Sequence, residues 1–393
     1  MTGPMDPARR LFTGHGRLLT PQPLSGPWAV AVADGRVTWV GDAGAAPAAT
    51  DRVDLGDALV TPGLVDPHTH PAYAGDRSDE VAARLAGARY DGGGILRTVA
   101  ATRAASDDEL EALVEARLRA QLAAGTTTVE CKSGYGLSTE EELRSLRVIG
   151  RVAERVPVRV VRTFLGAHAH PPDDPAYVDR LVDEMIPAVA AEGLAEFCDV
   201  FCDTGFFSTA DAERILRAAA DHGLRPRMHA DQLSRGGGAE LAVRVRAVSA
   251  DHLEQLDETG VAALAGSTTV ATLLPGPALV MRDRLPPARA LLDAGAMVAL
   301  GSDANAGTFG AWGAMPLVIG LGATLLGMTV EEAVMAATTG AAAALSLRGQ
   351  RGVLAPGADA DLVAWDADHE GAFALRLGAV RPLRIFIGGE EVE

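Results

Sequence analysis

Lysine is almost absent from this chain, which has one lysine and three cysteines in 393 residues. The cysteines are few and show no CxxC spacing, so the sequence predicts neither a disulfide framework nor a zinc site with cysteine ligands. This composition indicates a reducing cytosol. The formal net charge of −17 excludes the broad basic patches that nucleic acids and anionic membranes require. We therefore expect no nucleic-acid partner and no membrane partner, and an anionic substrate would need a local cation.

Clean apolar spans are missing as well. Residues 304–330 carry no charge, but Pro316 and several glycines interrupt them, so they fall short of the roughly 20 apolar residues of a membrane helix. We predict a buried loop and helix there. The N-terminal MTGPMDPARR lacks the apolar core of a signal peptide, and we expect a cytoplasmic protein.

The chain does have a regular alternation of short apolar runs with helical patterns. Eight runs resemble strands: ALVTPGLVD, TTTVECK, VRVVRTFLG, EFCDVFC, RPRMHA, AVSADHL, TTVATLL and AMVALGSD. Amphipathic segments such as DDELEALVEARLRAQLAAG lie between them, and several end in glycine, a common helix stop. Eight strand–helix units predict an α/β fold of the (β/α)8 TIM-barrel type.

Both chain ends are rich in strand-like runs. WAVAVADGRVTWVGD places Asp34-Gly35 between two alternating apolar runs, which predicts a tight β-hairpin. ADLVAWD and LRIFIGGEEVE near the C-terminus have a similar pattern. We therefore predict a small β-sandwich domain built from residues 1–60 plus 350–393, with the barrel over residues 61–349.

The most informative motif is His68 and His70 in TPGLVDPHTH, directly after the first predicted barrel strand. Side chains at positions i and i+2 of a strand point to the same face, so the two imidazoles should converge. Imidazole nitrogen is a good ligand for zinc or iron. The alternative is that His68 and His70 are ordinary polar loop residues. Further candidate ligands far downstream make this alternative less favourable.

Those downstream residues follow the ends of later strands. His229 ends the fifth predicted strand, His252 ends the sixth and Asp303 ends the eighth. A barrel brings the carboxyl ends of all its strands to one mouth, where TIM-barrel active sites lie. Three imidazoles and a carboxylate with room for water predict a catalytic metal site.

This pattern resembles the amidohydrolase superfamily. DPHTHPAYAGDR, GTTTVECKSGYGL, TFLGAHA, MHADQLS and ALGSDAN narrow the resemblance to the imidazolonepropionase family. The resemblance implies hydrolytic ring opening of 4-imidazolone-5-propanoate to N-formimidoyl-L-glutamate in histidine catabolism. It also implies one zinc or iron ion per subunit, held by His68, His70, His229 and Asp303, and a homodimer.

The resemblance further implies two catalytic residues and a set of substrate contacts. Asp303 would accept and return a proton, and His252 would orient water or polarise the carbonyl. Arg77 would hold the substrate carboxylate through its guanidinium fork, with a surface ion pair to Asp76 or Asp79 as the alternative. The other implied contacts are Tyr135, His168, Gln232, Asn305, Gly307 and Thr308, the last three on the glutamate part of the product.

Two positions leave questions open. Gln232 stands where some relatives have glutamate, and glutamine cannot accept a proton at neutral pH, so more of the proton transfer falls to Asp303 and His252. Lys132, the only lysine, ends the second predicted strand. Relatives in the superfamily bridge two metal ions with a carbamylated lysine, but strand two is an unusual place for that bridge, which favours one ion.

Two other functions remain open from sequence. One is a deaminase or another cyclic-amide hydrolase, which would share the metal ligands but need a different ring pocket. The other is a non-catalytic barrel that only binds, which is disfavoured because all four candidate ligands are present.

Overall fold

The computed structural model describes residues 8–20, 22–87 and 94–392. Most of the N-terminal segment discussed above, residues 1–7, lies outside these ranges. The strands are β1 (Ala8–Gly14), β2 (Arg17–Leu18), β3 (Leu24–Ser25), β4 (Trp28–Ala33), β5 (Arg36–Asp42), β6 (Ala49–Asp54), β7 (Val60–Pro62), β8 (Leu64–Asp66), β9 (Thr126–Lys132), β10 (Arg159–Ala167), β11 (Phe197–Cys202), β12 (Arg225–Ala230), β13 (Ser249–His252), β14 (Val270–Leu273), β15 (Val298–Leu300), β16 (Leu362–Trp365), β17 (Pro382–Ile387) and β18 (Glu390–Val392).

Helices lie between the barrel strands and continue after the last of them, β15. They are α1 (Ser78–Leu85), α2 (Gly94–Ala104), α3 (Asp107–Ala123), α4 (Thr139–Ala153), α5 (Tyr177–Arg180), α6 (Ile186–Ala191), α7 (Thr209–Asp221), α8 (Gly238–Arg244), α9 (Glu258–Ala265), α10 (Pro275–Met281), α11 (Ala288–Asp293), α12 (Met315–Leu325), α13 (Val330–Met335), α14 (Ala341–Ala344) and α15 (Ala372–Leu375). π-helical turns over Leu181–Met185 and Ala336–Gly340 join α5 to α6 and α13 to α14.

Eight parallel strands, β8 to β15, form one sheet in which each strand pairs with the next in sequence. They match the eight predicted strands, so the predicted TIM barrel is confirmed. The sheet closes at the carboxyl ends of its two outer strands. There the amide of His70 donates to Ala304 O at 3.0 Å and the amide of Asp303 donates to His68 O at 3.0 Å. The bonds that close the barrel therefore also bring these side chains together.

Local signals explain where the helices start and stop. Ser106 and Glu109 form a capping box at the start of α3, satisfying amides that have no partner within the helix. Gly125, after α3, and Gly223, after α7, adopt φ angles of 88° and 84°, which favour glycine. The predicted glycine stops are thus confirmed at these helices.

The chain ends form two further sheets that pack face to face. One has the strand order β5-β4-β1-β6, and the other has the order β18-β17-β16-β7-β2-β3. Phe12 and Phe386, from different sheets, meet edge to face with ring centroids 4.8 Å apart. The Asp34-Gly35 turn joins β4 to β5 with φ angles of 50° and 75°, as a tight hairpin requires. The predicted sandwich built from both termini is confirmed.

The run ALVTPGLVD is not one strand, and that expectation was wrong. Val60–Pro62 pairs with β16 in the terminal sheet, whereas Leu64–Asp66 pairs with β9 in the barrel. Gly63 lies between them, and a Cβ there would approach the Thr127 hydroxyl to 2.2 Å. Only glycine allows the chain to cross between the two sheets at this point.

The uncharged segment 304–330 forms a buried loop followed by α12, as predicted. Across the described ranges, no helix combines the length and apolarity needed to cross a membrane.

Candidate active site

Five side chains gather at the carboxyl end of the barrel. His68 and His70 follow β8, His229 lies in β12, His252 ends β13 and Asp303 follows β15. All five residues are buried. The structure therefore brings together every residue that the sequence nominated for the metal site and for proton transfer.

The ligand atoms of this cluster lie close to one another. His68 Nε2 is 3.2 Å from His70 Nε2, and Asp303 Oδ1 lies 3.2 Å from His70 Nε2 and 3.6 Å from His68 Nε2. Two ligands that are each about 2.1 Å from a tetrahedral ion lie roughly 3.4 Å apart. These separations fit a shared ion.

His229 and His252 complete the cluster from the opposite side. Single atoms of His68, His229 and His252 lie within 4.8 Å of one another, as do those of His68, His70 and Asp303. The buried Nε2 of His229 has no hydrogen-bond partner among the described residues. A buried, unpartnered imidazole nitrogen close to the imidazoles of His68 and His252 fits a metal ligand.

Backbone strain marks the same positions. His252 has a φ of 82° and Asp303 a φ of 49°, in the left-handed region that non-glycine residues rarely adopt. Such conformations cost about 1–3 kcal/mol each and concentrate at functional sites. Here they lie at two strand ends whose side chains belong to the cluster.

A carboxylate lies behind three of the imidazoles. Asp251 Oδ2 is 2.7 Å from His68 Nδ1, Asp199 Oδ1 is 3.0 Å from His229 Nδ1, and Glu254 Oε1 is 3.4 Å from His252 Nδ1. A carboxylate at Nδ1 holds the proton there and leaves Nε2 as the coordinating atom. All three Nε2 atoms are thereby directed to the centre of the cluster.

Burial and charge set the protonation of the cluster. Burial lowers the pKa of His68 and of His229, so both are neutral imidazoles, the form that binds metals. Burial opposes ionisation of Asp303, but its hydrogen bond to His70 holds its pKa below the usual range. Burial also acts against a charged His252, yet Glu254 outweighs it and raises the His252 pKa.

A small cavity of about 30 Å³ opens beside the cluster. Its lining combines four of the five cluster residues, all but His68, with most of the predicted substrate contacts: His70, Arg77, Ile95, Tyr135, His168, Phe201, His229, Gln232, His252, Asp303, Asn305 and Thr308.

Arg77 supplies a cation to this cavity in an acidic protein. Its side chain is 3 % exposed, and Nε and Nη2 donate to the two carboxylate oxygens of Glu80 at 2.8 and 2.7 Å. The alternative ion pair with Asp76 or Asp79 is wrong, because Asp79 instead pairs with Arg97 at 2.7 Å. Arg77 is buried beside the cavity rather than on the surface.

Tyr135 and His168 form one wall of the cavity. Their ring centroids are 5.0 Å apart, and His168 stacks on His70 at 5.3 Å. The turn that carries Tyr135 is held by the buried carboxylate of Glu142, which accepts the amides of Gly134, Gly136 and Leu137 at 2.8–2.9 Å. The turn-rich sequence SGYG thus presents its tyrosine from a fixed backbone.

The loop after Asp303 is organised by Asn305. Its Oδ1 accepts the amides of Gly307 and Thr308 at 2.7 and 2.9 Å, and its Nδ2 donates to Asp303 O at 2.7 Å. Gly307 lies against Arg77, where a Cβ would come within 2.3 Å of the guanidinium carbon. The Asn305 amide therefore shapes the loop, and the missing side chain of residue 307 makes room for Arg77.

Gln232 reaches the cavity from the loop after β12. The backbone amide of Gln232 donates to Asp203 Oδ2 at 3.0 Å, which fixes the backbone, and the residue is 7 % exposed. The structure thus places Gln232 at the cavity.

Lys132 lies inside the barrel beneath the cluster. Burial alone would lower its pKa, but Asp199 and Glu130 outweigh that cost and raise it. Lys132 is therefore a buried ammonium, whereas carbamylation requires a neutral amine.

The comparisons with known proteins agree with this geometry. A sequence profile described as amidohydrolase family matches residues 73–376. Imidazolonepropionase from Caulobacter vibrioides (strain NA1000 / CB15N) is 48 % identical over 361 residues, covering 89 % of this chain and 90 % of that protein. The enzyme of the same name from Nocardia farcinica is 46 % identical over 390 residues, covering 96 % of this chain and 97 % of that protein. The chain belongs to the imidazolonepropionase family.

Solved structures show how widely this family's fold is shared. A 5-methylcytosine deaminase from Klebsiella pneumoniae has a TM-score of 0.78 at 16 % identity, covering 98 % of both chains. An adenosine deaminase from Xanthomonas campestris with bound zinc has a TM-score of 0.74 at 20 % identity, covering 99 % of this chain and 93 % of that one. The resemblance to an amidohydrolase imidazolonepropionase is confirmed, and the chain is a hydrolase that acts on a small molecule.

Sequence reasoning missed the groups that support the site. Asp199 and Asp251 orient imidazoles, and Ile95 and Phe201 line the cavity. The two aspartates did leave a signal, because each is an acid within an apolar barrel strand. Apolar lining residues leave no such signal, since they read as ordinary core.

Proposed function

We propose that this chain opens the ring of 4-imidazolone-5-propanoate by hydrolysis to give N-formimidoyl-L-glutamate in histidine catabolism. The observation that carries the proposal is one small cavity that holds the His/Asp cluster and the buried guanidinium of Arg77. The cluster suits attack of water on a cyclic amide, and Arg77 suits a ligand with a carboxylate. The relatives named above are called imidazolonepropionases, which supports this substrate.

One ion, zinc or iron, would be held by His68, His70, His229 and Asp303. When bound, such an ion lowers the pKa of a water molecule towards neutrality and supplies the nucleophile.

Asp303 and His252 carry the proton transfers. Asp303 is ionised, so it can take a proton from the attacking water and return it to the ring nitrogen as the C–N bond breaks. His252 has a raised pKa because of Glu254, so it can donate to the carbonyl oxygen as negative charge develops there.

The remaining cavity residues bind the substrate. Arg77 binds the propionate carboxylate, and Tyr135, His168 and Gln232 surround the imidazolone ring. Asn305, Gly307 and Thr308 form the loop that holds the glutamate part of the product. In this arrangement the side chain of Asn305 acts mainly by holding the loop, since its Oδ1 accepts two loop amides.

The domain boundaries, the cellular location and the partners of the enzyme complete the proposal. Residues 1–60 plus 350–393 form the small β domain and residues 61–349 the barrel, with β7 and Gly63 as the junction. The enzyme acts as a cytoplasmic homodimer without a nucleic-acid or membrane partner. The three cysteines are buried free thiols, in keeping with a reducing compartment.

The test measures ring opening and metal content on the same preparation. Purified enzyme should consume 4-imidazolone-5-propanoate, leave aminopurines unchanged and hold about one ion per chain. His229→Ala should lose both the ion and the activity, whereas His222→Ala, at an exposed position after α7, should keep both. Turnover of an aminopurine in place of the imidazolone would overturn the substrate assignment.

A further inference from the structure

The only lysine of the chain lies in a buried ionic cluster that the proposed reaction does not use directly. Lys132 Nζ lies 2.7 Å from Glu130 Oε1 and 2.7 Å from Asp199 Oδ2, and all three side chains are fully buried. Removing two carboxylates and an ammonium from water is costly, so such a cluster is weak evidence for stability alone. Its other contacts indicate a second role.

Asp199 links this ammonium to one side of the histidine cluster. Its Oδ2 faces Lys132, and its Oδ1 lies 3.0 Å from His229 Nδ1 and accepts the His229 amide at 3.2 Å. A carboxylate held at both ends cannot rotate away from the imidazole. The direction of His229 Nε2 therefore depends on Lys132 through Asp199.

Glu130 links the same ammonium to the other side. Its Oε2 accepts the amide of Thr69, the residue between His68 and His70, at 3.1 Å. The backbone amide of Lys132 also donates to Thr69 O at 3.0 Å. Lys132 is thus connected to the segment that carries the first two histidines.

We propose that Lys132 is a positioning residue that sets the two halves of the histidine cluster relative to each other. It orients His229 through Asp199 and holds the His68–His70 segment through Glu130. This inference rests on the metal site of the proposed function. It adds that the metal affinity of that site depends on Lys132, which is not one of the proposed ligands.

The neighbouring cation shows why this position needs lysine. Arg227 Nη2 reaches Asp251 Oδ2 at 2.9 Å and Pro67 O at 2.7 Å, and Nη1 reaches Ala344 O at 3.1 Å. A planar fork suits these three separated acceptors. Lys132 instead has two carboxylates converging on one atom, which suits a compact ammonium.

The experiment compares the rate of zinc loss from the loaded enzyme. With Zn²⁺ bound and a chelator in excess, Lys132→Met should release zinc about 10-fold to 100-fold faster, the range for residues that support metal ligands. Lys132→Gln can still donate to both carboxylates and should fold even if the Met variant does not, with an intermediate release rate. Arg351→Met is the matched control, because Arg351 pairs with Asp359 and Asp361 instead of a histidine-linked carboxylate.

A second measurement needs neither zinc nor substrate. In ¹⁵N-histidine NMR of the metal-free protein, His229 should be protonated at Nδ1 in the natural chain and in the control. In both Lys132 variants it should become a mixture of tautomers. Release rates and His229 signals that match the control, with only a lower unfolding midpoint, would overturn the proposal. Natural protein that binds no zinc would refute the metal site, while the tautomer comparison would still decide the role of Lys132.

Discussion

At the scale of single residues, position along the barrel strands determines what a side chain can do. His68, His70, His229, His252 and Asp303 all lie at or just beyond strand ends, where a side chain faces the cavity. Lys132, Asp199 and Asp251 lie within or at the ends of strands and support the cluster from beneath. The supporting groups differ from the reacting groups in their contacts, since they bond to imidazole Nδ1 atoms or to one another and do not line the cavity.

Arg77 offers the first prediction at this scale. Arg77→Ala removes the buried cation of the cavity and should weaken substrate binding by about 2 kcal/mol, which raises KM roughly 30-fold. Steady-state kinetics with 4-imidazolone-5-propanoate measure this effect. Arg97→Ala, which removes an exposed ion pair with Asp79 and a hydrogen bond to Asp76 O outside the cavity, is the control and should leave KM unchanged. An unchanged KM in Arg77→Ala would remove this residue from the substrate site.

Gln232 offers the second prediction at the scale of single residues. Gln232→Glu places a carboxylate in the cavity, and a nearby negative charge favours the protonated form of His252. We expect retained activity with the basic limb of the pH–rate profile moved to higher pH. Gln255→Glu is the matched control, since Gln255 donates to Asp283 and does not line the cavity. Identical profiles for both variants would leave position 232 with a structural role only.

The sequence-based predictions were most accurate where a residue type has one strong structural preference. His68, His229 and Asp303 were found because ligands follow strand ends in a barrel. The pairing of Arg77 with Glu80 was missed, because Asp76, Asp79 and Glu80 are all within reach in sequence. Helix α1 begins after Arg77 and places the residue at i+3 beside it. Which of these acids pairs with Arg77 depends on where α1 begins, and charge patterns alone do not specify that start.

At the scale of elements, turns and helices hold the wall of the cavity. The Tyr135 turn is held by one carboxylate from α4, Glu142, which accepts three backbone amides. The Asn305 loop uses one side-chain amide in a similar way. Each wall segment therefore depends on one buried polar group.

Glu142→Gln tests this dependence. The new amide group would face backbone N–H donors, so we expect a loss of about 2 kcal/mol in the free energy of unfolding. KM should also rise severalfold because Tyr135 is less well held. Urea unfolding and steady-state kinetics measure the two effects. Glu141→Gln, which affects an ion pair with Arg144 on the same helix, should change neither by a comparable amount. A normal KM in a destabilised Glu142→Gln would show that the turn keeps its shape without the carboxylate.

Element boundaries were the weak point of the sequence-based fold. The eight-strand rhythm was correct, but ALVTPGLVD was taken as one strand because its apolar run is continuous. Its two halves belong to different sheets, and the chain crosses between them at Gly63, which is packed against Thr127. That contact joins residues far apart in sequence, so no local pattern reveals it.

At the scale of the whole molecule, the metal site and the closure of the barrel coincide. The amides of His70 and Asp303 make the bonds between the first and last strands. An ion bound by these residues would therefore also hold the barrel closed.

Removal of the ion tests this coupling. An ion present at about 1,000 times its dissociation constant stabilises the folded state by about 4 kcal/mol, so chelation should lower the unfolding midpoint by several degrees. Hydrogen exchange of the His70 and Asp303 amides should speed up in the metal-free protein. The Val30 amide in β4 of the terminal sandwich is the internal control and should not change. Equal protection of His70 and Asp303 with and without the ion would show that the barrel closes independently.

The two ends of the chain also meet in one sheet, where β7 lies between β2 and β16. During synthesis on a ribosome, β7 has only its early neighbour until β16 emerges, and His68 has no Asp303 beside it until β15 does. A nascent chain stalled before either point presents unpaired strand edges and isolated imidazoles. Such a fragment is a target for chaperones and proteases, and it becomes an enzyme only when nearly all of its message has been translated.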